Sequence, residues 1–205
     1  MSMENSVCLM LAASFHTAID IDSIINQDDL NGDGIIRDNH ITILYDESGT
    51  YKKTDVLNDV RESLSSEFEV FMEFMKDSYK FSINDVFYLD SFNNDDSSYL
   101  VLRLKEDNSL FSKLKSIHEY IVNKYGIYQS FTEFKPHMTI AELLPGRADK
   151  YLYNSILNKV LSNSKVGFED LVFSEPGTTG MGKYDRWNIT TFHAIERFFR
   201  ETKID

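Results

Sequence analysis

The sequence predicts a mixed α+β fold, built as one unit of two similar halves. Three observations carry this: apolar β-branched runs of strand length, amphipathic stretches of helical period, and a repeated order of the two. Two of the strands also carry the same polar pair. In Asn39-His40-Ile41-Thr42-Ile43-Leu44-Tyr45 and in Phe134-Lys135-Pro136-His137-Met138-Thr139-Ile140-Ala141-Glu142-Leu143, a histidine and a threonine stand two apart. Side chains alternate along a strand, so each His-Thr pair shares one face while its isoleucine or methionine turns to the other. His137 follows His40 by 97 positions, and an amphipathic helix and a strand pair come after each, an approximate internal duplication.

Taken in order, Val7 to Ser14 reads as a buried first strand. A signal-peptide core would need a positive flank, and Glu4 precedes this run with no Lys or Arg before it. Asp28 to Ile36 imitates a calcium loop, with Asp29, Asn31 and Asp33 at the first, third and fifth positions and Gly34 at the sixth. The twelfth position, where a bidentate carboxylate belongs, is His40, so the segment is expected to be a solvated turn leading into the strand. Helical signals run from Thr54 to about Tyr79, with Val56, Leu57, Val60 and Leu64 fixing an amphipathic helix to about Ser66. Phe68 to Met75 fits helix or strand equally. Val86–Leu89 and Tyr99–Leu104 form a hairpin about the turn Asn93–Asp96.

A second helix starts at Asn108 or Ser109, buries Leu110, Phe111, Leu114, Ile117, Ile121 and Val122, and stops at Gly126. A third is expected from Asp149 to Leu161, after the turn Pro145-Gly146. Strands at Phe168–Phe173 and Trp187–Ile195 end the pattern. Between them, the Gly/Thr-rich loop Ser174–Arg186 holds Lys183, Tyr184 and Arg186, with Trp187 just beyond, the expected substrate-binding residues.

The chain of 205 residues carries a formal charge of −12, so most of its surface repels a long nucleic-acid backbone while leaving room for a small anion in a local pocket. The lone Cys8 permits no internal disulfide and suits a reducing, cytoplasmic compartment. No apolar run approaches membrane-spanning length, so a soluble monomer away from membranes is expected.

The chemistry rests on the two His-Thr strands. Strand histidines satisfied within the fold, beside threonines that merely suit β-structure, would give the same letters. The chemical alternative is that two imidazoles divide acid and base roles across a phosphodiester while threonine hydroxyls donate to its non-bridging oxygens. A metal site lacks a third ligand. His16, His118 and His193 have no comparable setting in the sequence.

On these motifs the chain resembles the 2H phosphoesterases, named for two His-x-Thr/Ser motifs. The matching features are His40-Ile41-Thr42, Pro136-His137-Met138-Thr139-Ile140-Ala141, the opening strand Cys8–Ala13 and the late strand with Trp187. The resemblance implies a bilobal fold in which two antiparallel sheets form a concave cleft with helices on the outer faces. It also implies catalysis by His40, Thr42, His137 and Thr139 without metal or cofactor. Members hydrolyse 2′,3′-cyclic phosphates, cleave 2′-5′ linkages, trim RNA ends or, in phage-encoded cases, destroy cyclic oligonucleotide defence signals. The expected substrate is a small cyclic or 2′-5′-linked nucleotide. The alternatives are a 2′,3′-cyclic phosphodiesterase acting on RNA ends, and a non-catalytic module that sequesters a nucleotide.

Overall fold

A computed structural model describes residues 7–16, 20–37, 39–46, 81–129, 133–174 and 189–191. The expected helix over 54–66, the ambiguous stretch 68–75 and the loop 175–186 lie outside these residues. Within them, the strands are β1 (Val7–His16), β2 (Leu30–Ile35), β3 (His40–Asp46), β4 (Phe81–Ser82), β5 (Phe87–Asn93), β6 (Ser98–Leu104), β7 (His137–Leu143), β8 (Lys165–Ser174) and β9 (Ile189–Thr191). The helices are α1 (Ile83–Val86), α2 (Ser109–Tyr125), α3 (Asp149–Leu152) and α4 (Ser155–Ser162). Among the described residues, no helix is long and apolar enough to cross a membrane.

Every described strand pair is antiparallel, and the main path runs β4-β8-β1-β3-β7-β6-β5, with β2 also on β7 and β9 on β8. The sheet is strongly curled into a half-barrel. Where two separate sheets are expected from sequence, these strands join into one path through a single pair, Ile41 opposite Met138. Beyond that pair β2 takes over the edge of β7, with Leu30 opposite Leu143, Ile35 opposite Ala141 and the Ile36 N–H bonded to the Ile140 carbonyl at 2.8 Å.

One face of the sheet carries the core. Leu9, Leu11, Ile41, Ile43, Leu100, Leu102, Met138 and Ile140 are all essentially inaccessible and belong to one cluster with Leu110, Leu114, Ile117 and Ile121 of α2. The helix therefore lies on the face opposite the histidines. Its ends follow the sequence: the Asn108 side chain accepts from the Leu110 N–H at 2.9 Å, and Gly126 closes it at φ 67°. The hairpin turn is held by Asn94, whose Oδ1 accepts from the N–H groups of Asp96 and Ser97.

The single helix expected over 149–161 is two. Asn154 is extended, and its Oδ1 accepts from the N–H groups of Ile156 and Leu157, both at 3.0 Å, so it starts α4 instead of continuing α3. An asparagine side chain competes with the helical backbone and is worth more as a cap than in an interior.

The calcium-like segment is not one loop. Gln27–Asp29 is a 3₁₀ turn, and Leu30–Ile35 is strand β2. Asp29 is buried, not solvated: its Oδ2 accepts from the Tyr151 hydroxyl at 2.6 Å and pairs with Lys150, while Arg147 stands 3.8 Å from Oδ1. Asn31 instead reaches Asp96 and Ser97 with its side chain, and the Asp33 backbone N–H donates to Glu142, so Asp29, Asn31 and Asp33 do not converge on one point. Gly32, at φ 49°, has the Glu142 carboxylate packed where a side chain would begin.

Candidate active site

β3 and β7 run antiparallel with Ile41 facing Met138, so in the same register His40 falls opposite Thr139 and Thr42 opposite His137. All four lie on the face away from the main core, each half-buried, while Ile41, Ile43, Met138 and Ile140 are buried on the other. Directly opposed side chains stand roughly 5 Å apart at Cβ, and diagonal neighbours roughly 7–8 Å. The two histidines are such a diagonal. That gap accommodates a phosphoryl group hydrogen-bonded on both sides.

The orientation of His137 is fixed by its backbone. Its Nδ1–H donates to the Lys135 carbonyl at 2.8 Å, and its ring meets the edge of Phe92 at 4.8 Å between centroids. With the proton held on Nδ1, the neutral ring presents Nε2 as an acceptor. Burial pushes its pKa below the usual imidazole value, against the opposing pull of the Lys135 carbonyl; Arg103 pushes it down further, and Asp90 pushes it up. His137 is thereby neutral at neutral pH, the state a base needs.

Thr42 is set by β1. Met10 lies opposite Thr42 and Ala12 opposite His40, which brings Cys8, Met10 and Ala12 into a small apolar cluster on the histidine face. Cys8 and Thr42 share a side-chain hydrogen bond, yet burial pushes the thiol up to about 12. The Thr42 bond acts the other way, lowering it, and burial outweighs that pull.

The structure adds a residue that the sequence reading missed. Arg103 on β6 is opposite His137 and shares its face. Its side chain is only 18% exposed and is held by Asp90 at 3.3 Å and Glu106 at 3.9 Å, with the guanidinium 5.8 Å from the Tyr88 ring centre. The signal was present: Tyr99, Val101 and Arg103 alternate with the leucines of β6, and a cation inside such a run needs a reason. Phe92 was equally legible only once its register was known. Of the residues predicted for substrate binding, Lys183, Tyr184, Arg186 and Trp187 all lie outside the described residues.

His118, which has no distinctive setting in the sequence, ties the two motif strands together from α2. Its Nδ1–H donates to the Ile43 carbonyl at 2.7 Å, one residue past Thr42, and its ring stacks on Phe134 at 4.4 Å, just ahead of Pro136-His137. Burial holds its pKa below the usual value, opposed by the Ile43 carbonyl and by Glu119.

Compared with protein-family models, with curated proteins and with solved structures, the chain has no match in any of the three.

Proposed function

We propose that the protein is a metal-independent phosphodiesterase of the 2H type. Its substrate would be a small cyclic or 2′-5′-linked oligonucleotide, a class that includes the cyclic signals of anti-phage defence. One observation carries the reading: the single β3–β7 pair puts both His-Thr motifs in register on one face. On this reading the strands flanking that pair, β8-β1-β3 and β7-β6-β5, correspond to two lobes of a duplicated fold, and the histidine face is the cleft between them.

The geometry supports the following chemistry. Nε2 of neutral His137 takes a proton from water as the water oxygen bonds to phosphorus. The phosphorus–oxygen bond to the leaving group breaks, and His40, in the role of acid, supplies the proton that the departing oxygen needs. Thr42 and Thr139 donate to the non-bridging oxygens, where charge grows in the transition state. Arg103, directly across from His137, is held beside them by Asp90 and Glu106.

The test is turnover with product identification on 2′,3′-cyclic mononucleotides, 2′-5′ oligoadenylate and cyclic dinucleotides, each with and without EDTA. Activity on at least one substrate, changed by EDTA no more than about twofold, is expected of acid–base catalysis by side chains alone. Loss of activity on chelation, restored by added metal, defeats the proposal. Recovery of every ligand unchanged from a tight complex would instead identify a sequestering module.

A further inference from the structure

Alongside α2, where β6 ends and β7 begins, lies a pocket of about 470 Å³, between the helix and the segments ending at Gln129 and starting at Glu133. That volume falls within the range of small-molecule sites. One wall is aromatic: His118 stacks on Phe134 with an interplanar angle of 21°, and Phe111 stands 6.3 Å from Phe134, centroid to centroid.

The charges in the lining cancel locally. Arg103 stands 3.9 Å from Glu106, Lys115 3.7 Å from Glu119 and Lys135 3.1 Å from Glu133. Each cation has its own acid, so the pocket offers a phosphate little net field. Asn123 and Gln129 also line it, and an amide both donates and accepts. An aromatic wall, paired donors and acceptors, and no net charge suit an uncharged heterocycle with hydrogen-bonding edges.

The pocket is joined to the candidate active site by two residues. Arg103 lines it and stands opposite His137; Lys135 lines it and holds the His137 ring through its carbonyl. We infer that it is a subsite for a nucleobase on the far side of the scissile phosphate, so that the substrate is an oligonucleotide of at least two residues. This rests on the phosphodiesterase reading. A diester linking two nucleosides has an arm to place in the pocket, whereas in a 2′,3′-cyclic mononucleotide both ester oxygens belong to one ribose.

Two measurements on the full chain test this. First, adenosine, guanosine, cytidine and uridine, which carry no phosphate, are titrated while the ring resonances of His118 and Phe134 are followed by NMR. At least one nucleoside should shift both in a saturable way, and Asn123→Ala should weaken that binding roughly three- to tenfold. Second, Asn123→Ala/Gln129→Ala should lower kcat/KM on a dinucleotide roughly tenfold. The same variant should leave the matching 2′,3′-cyclic mononucleotide within about twofold. No shift with any nucleoside, or equal losses on both substrates, overturns the subsite. The two readings fail separately: nucleoside binding without turnover of any diester keeps the subsite and removes the phosphodiesterase, and turnover without nucleoside binding does the reverse.

Discussion

Replacing His137 separates its chemical role from its structural one, because its two ring nitrogens do different things. Nδ1 holds the Lys135 carbonyl at 2.8 Å, and Nε2 is the proposed base. In His137→Asn the amide nitrogen sits near the Nδ1 position, keeping the tie while removing the base; His137→Ala removes both. The Nδ1 bond contributes about 0.5–1.5 kcal/mol, and the edge contact with Phe92 about as much again. Ala should therefore cost about 1–3 kcal/mol, and Asn about half of that. At roughly 2–4 °C per kcal/mol for a chain of this size, the Asn variant should melt within a few degrees of wild type. Its catalytic loss should be far larger, on the order of 10²–10⁴ in kcat, equivalent to about 2.7–5.5 kcal/mol of barrier. The base works in its neutral form, so the wild-type rate should also be lost as pH falls through the folded pKa of His137, which lies below 6.5. The assay is kcat against pH at 25 °C on the best substrate, with circular dichroism melts of the same preparations. If His137→Asn retains more than about a tenth of wild-type kcat, or if its loss tracks the fraction unfolded, the base assignment is wrong.

Three further outcomes are expected. Asp29→Asn should destabilise by about 1.5–3 kcal/mol, read by urea denaturation, because it discharges a buried carboxylate held by Lys150 and Tyr151. His118 and His137 both have folded pKa values below 6.5, so the unfolded chain takes up more protons below that pH. Stability present above about pH 6.5 should fall as pH drops through and below it, and His118→Asn should flatten the trend in melts at pH 7.5 and 5.5; an unchanged slope would refute the burial argument. Cys8, with its thiol pushed up to about 12, should resist iodoacetamide at pH 8 in the native protein and react fully in denaturant, as mass spectrometry will report.

Local chemistry was the most legible part of the sequence. Asn108 and Gly126 bound α2 where their capping roles put them, and alternation assigned His40, Thr42, His137 and Thr139 to the face opposite the isoleucines. What alternation cannot supply is register. Nothing in either motif states that Ile41 meets Met138, and that pairing alone turns two separate pairs into one constellation. Arg103 and Phe92 depend on the same kind of information, since each reaches His137 across strands. The reading of Asp29 as solvated failed because its partners, Lys150 and Tyr151, lie more than a hundred residues away, and a Gly/Asp-rich stretch is ordinarily a surface turn. Asn154 breaking the expected third helix was legible in principle, being a good cap inside a helical period.

The order of strands also bears on how the protein is made. β5, β6, α2 and β7 are contiguous in the chain, and their pairings can form as soon as residues 87–143 are available. β1, by contrast, is flanked by β3 and by β8, whose residues 165–174 are synthesised long after β1 itself. A nascent chain therefore carries β1 with one edge unpaired until β8 emerges, and slow long-range closure of this kind exposes a strand to wrong partners. Because Met10 and Cys8 of β1 set Thr42, the half of the site bearing His40 and Thr42 matures last. Chains truncated before residue 165 would hold His137 in its finished place against β6 and lack the framework for its partner.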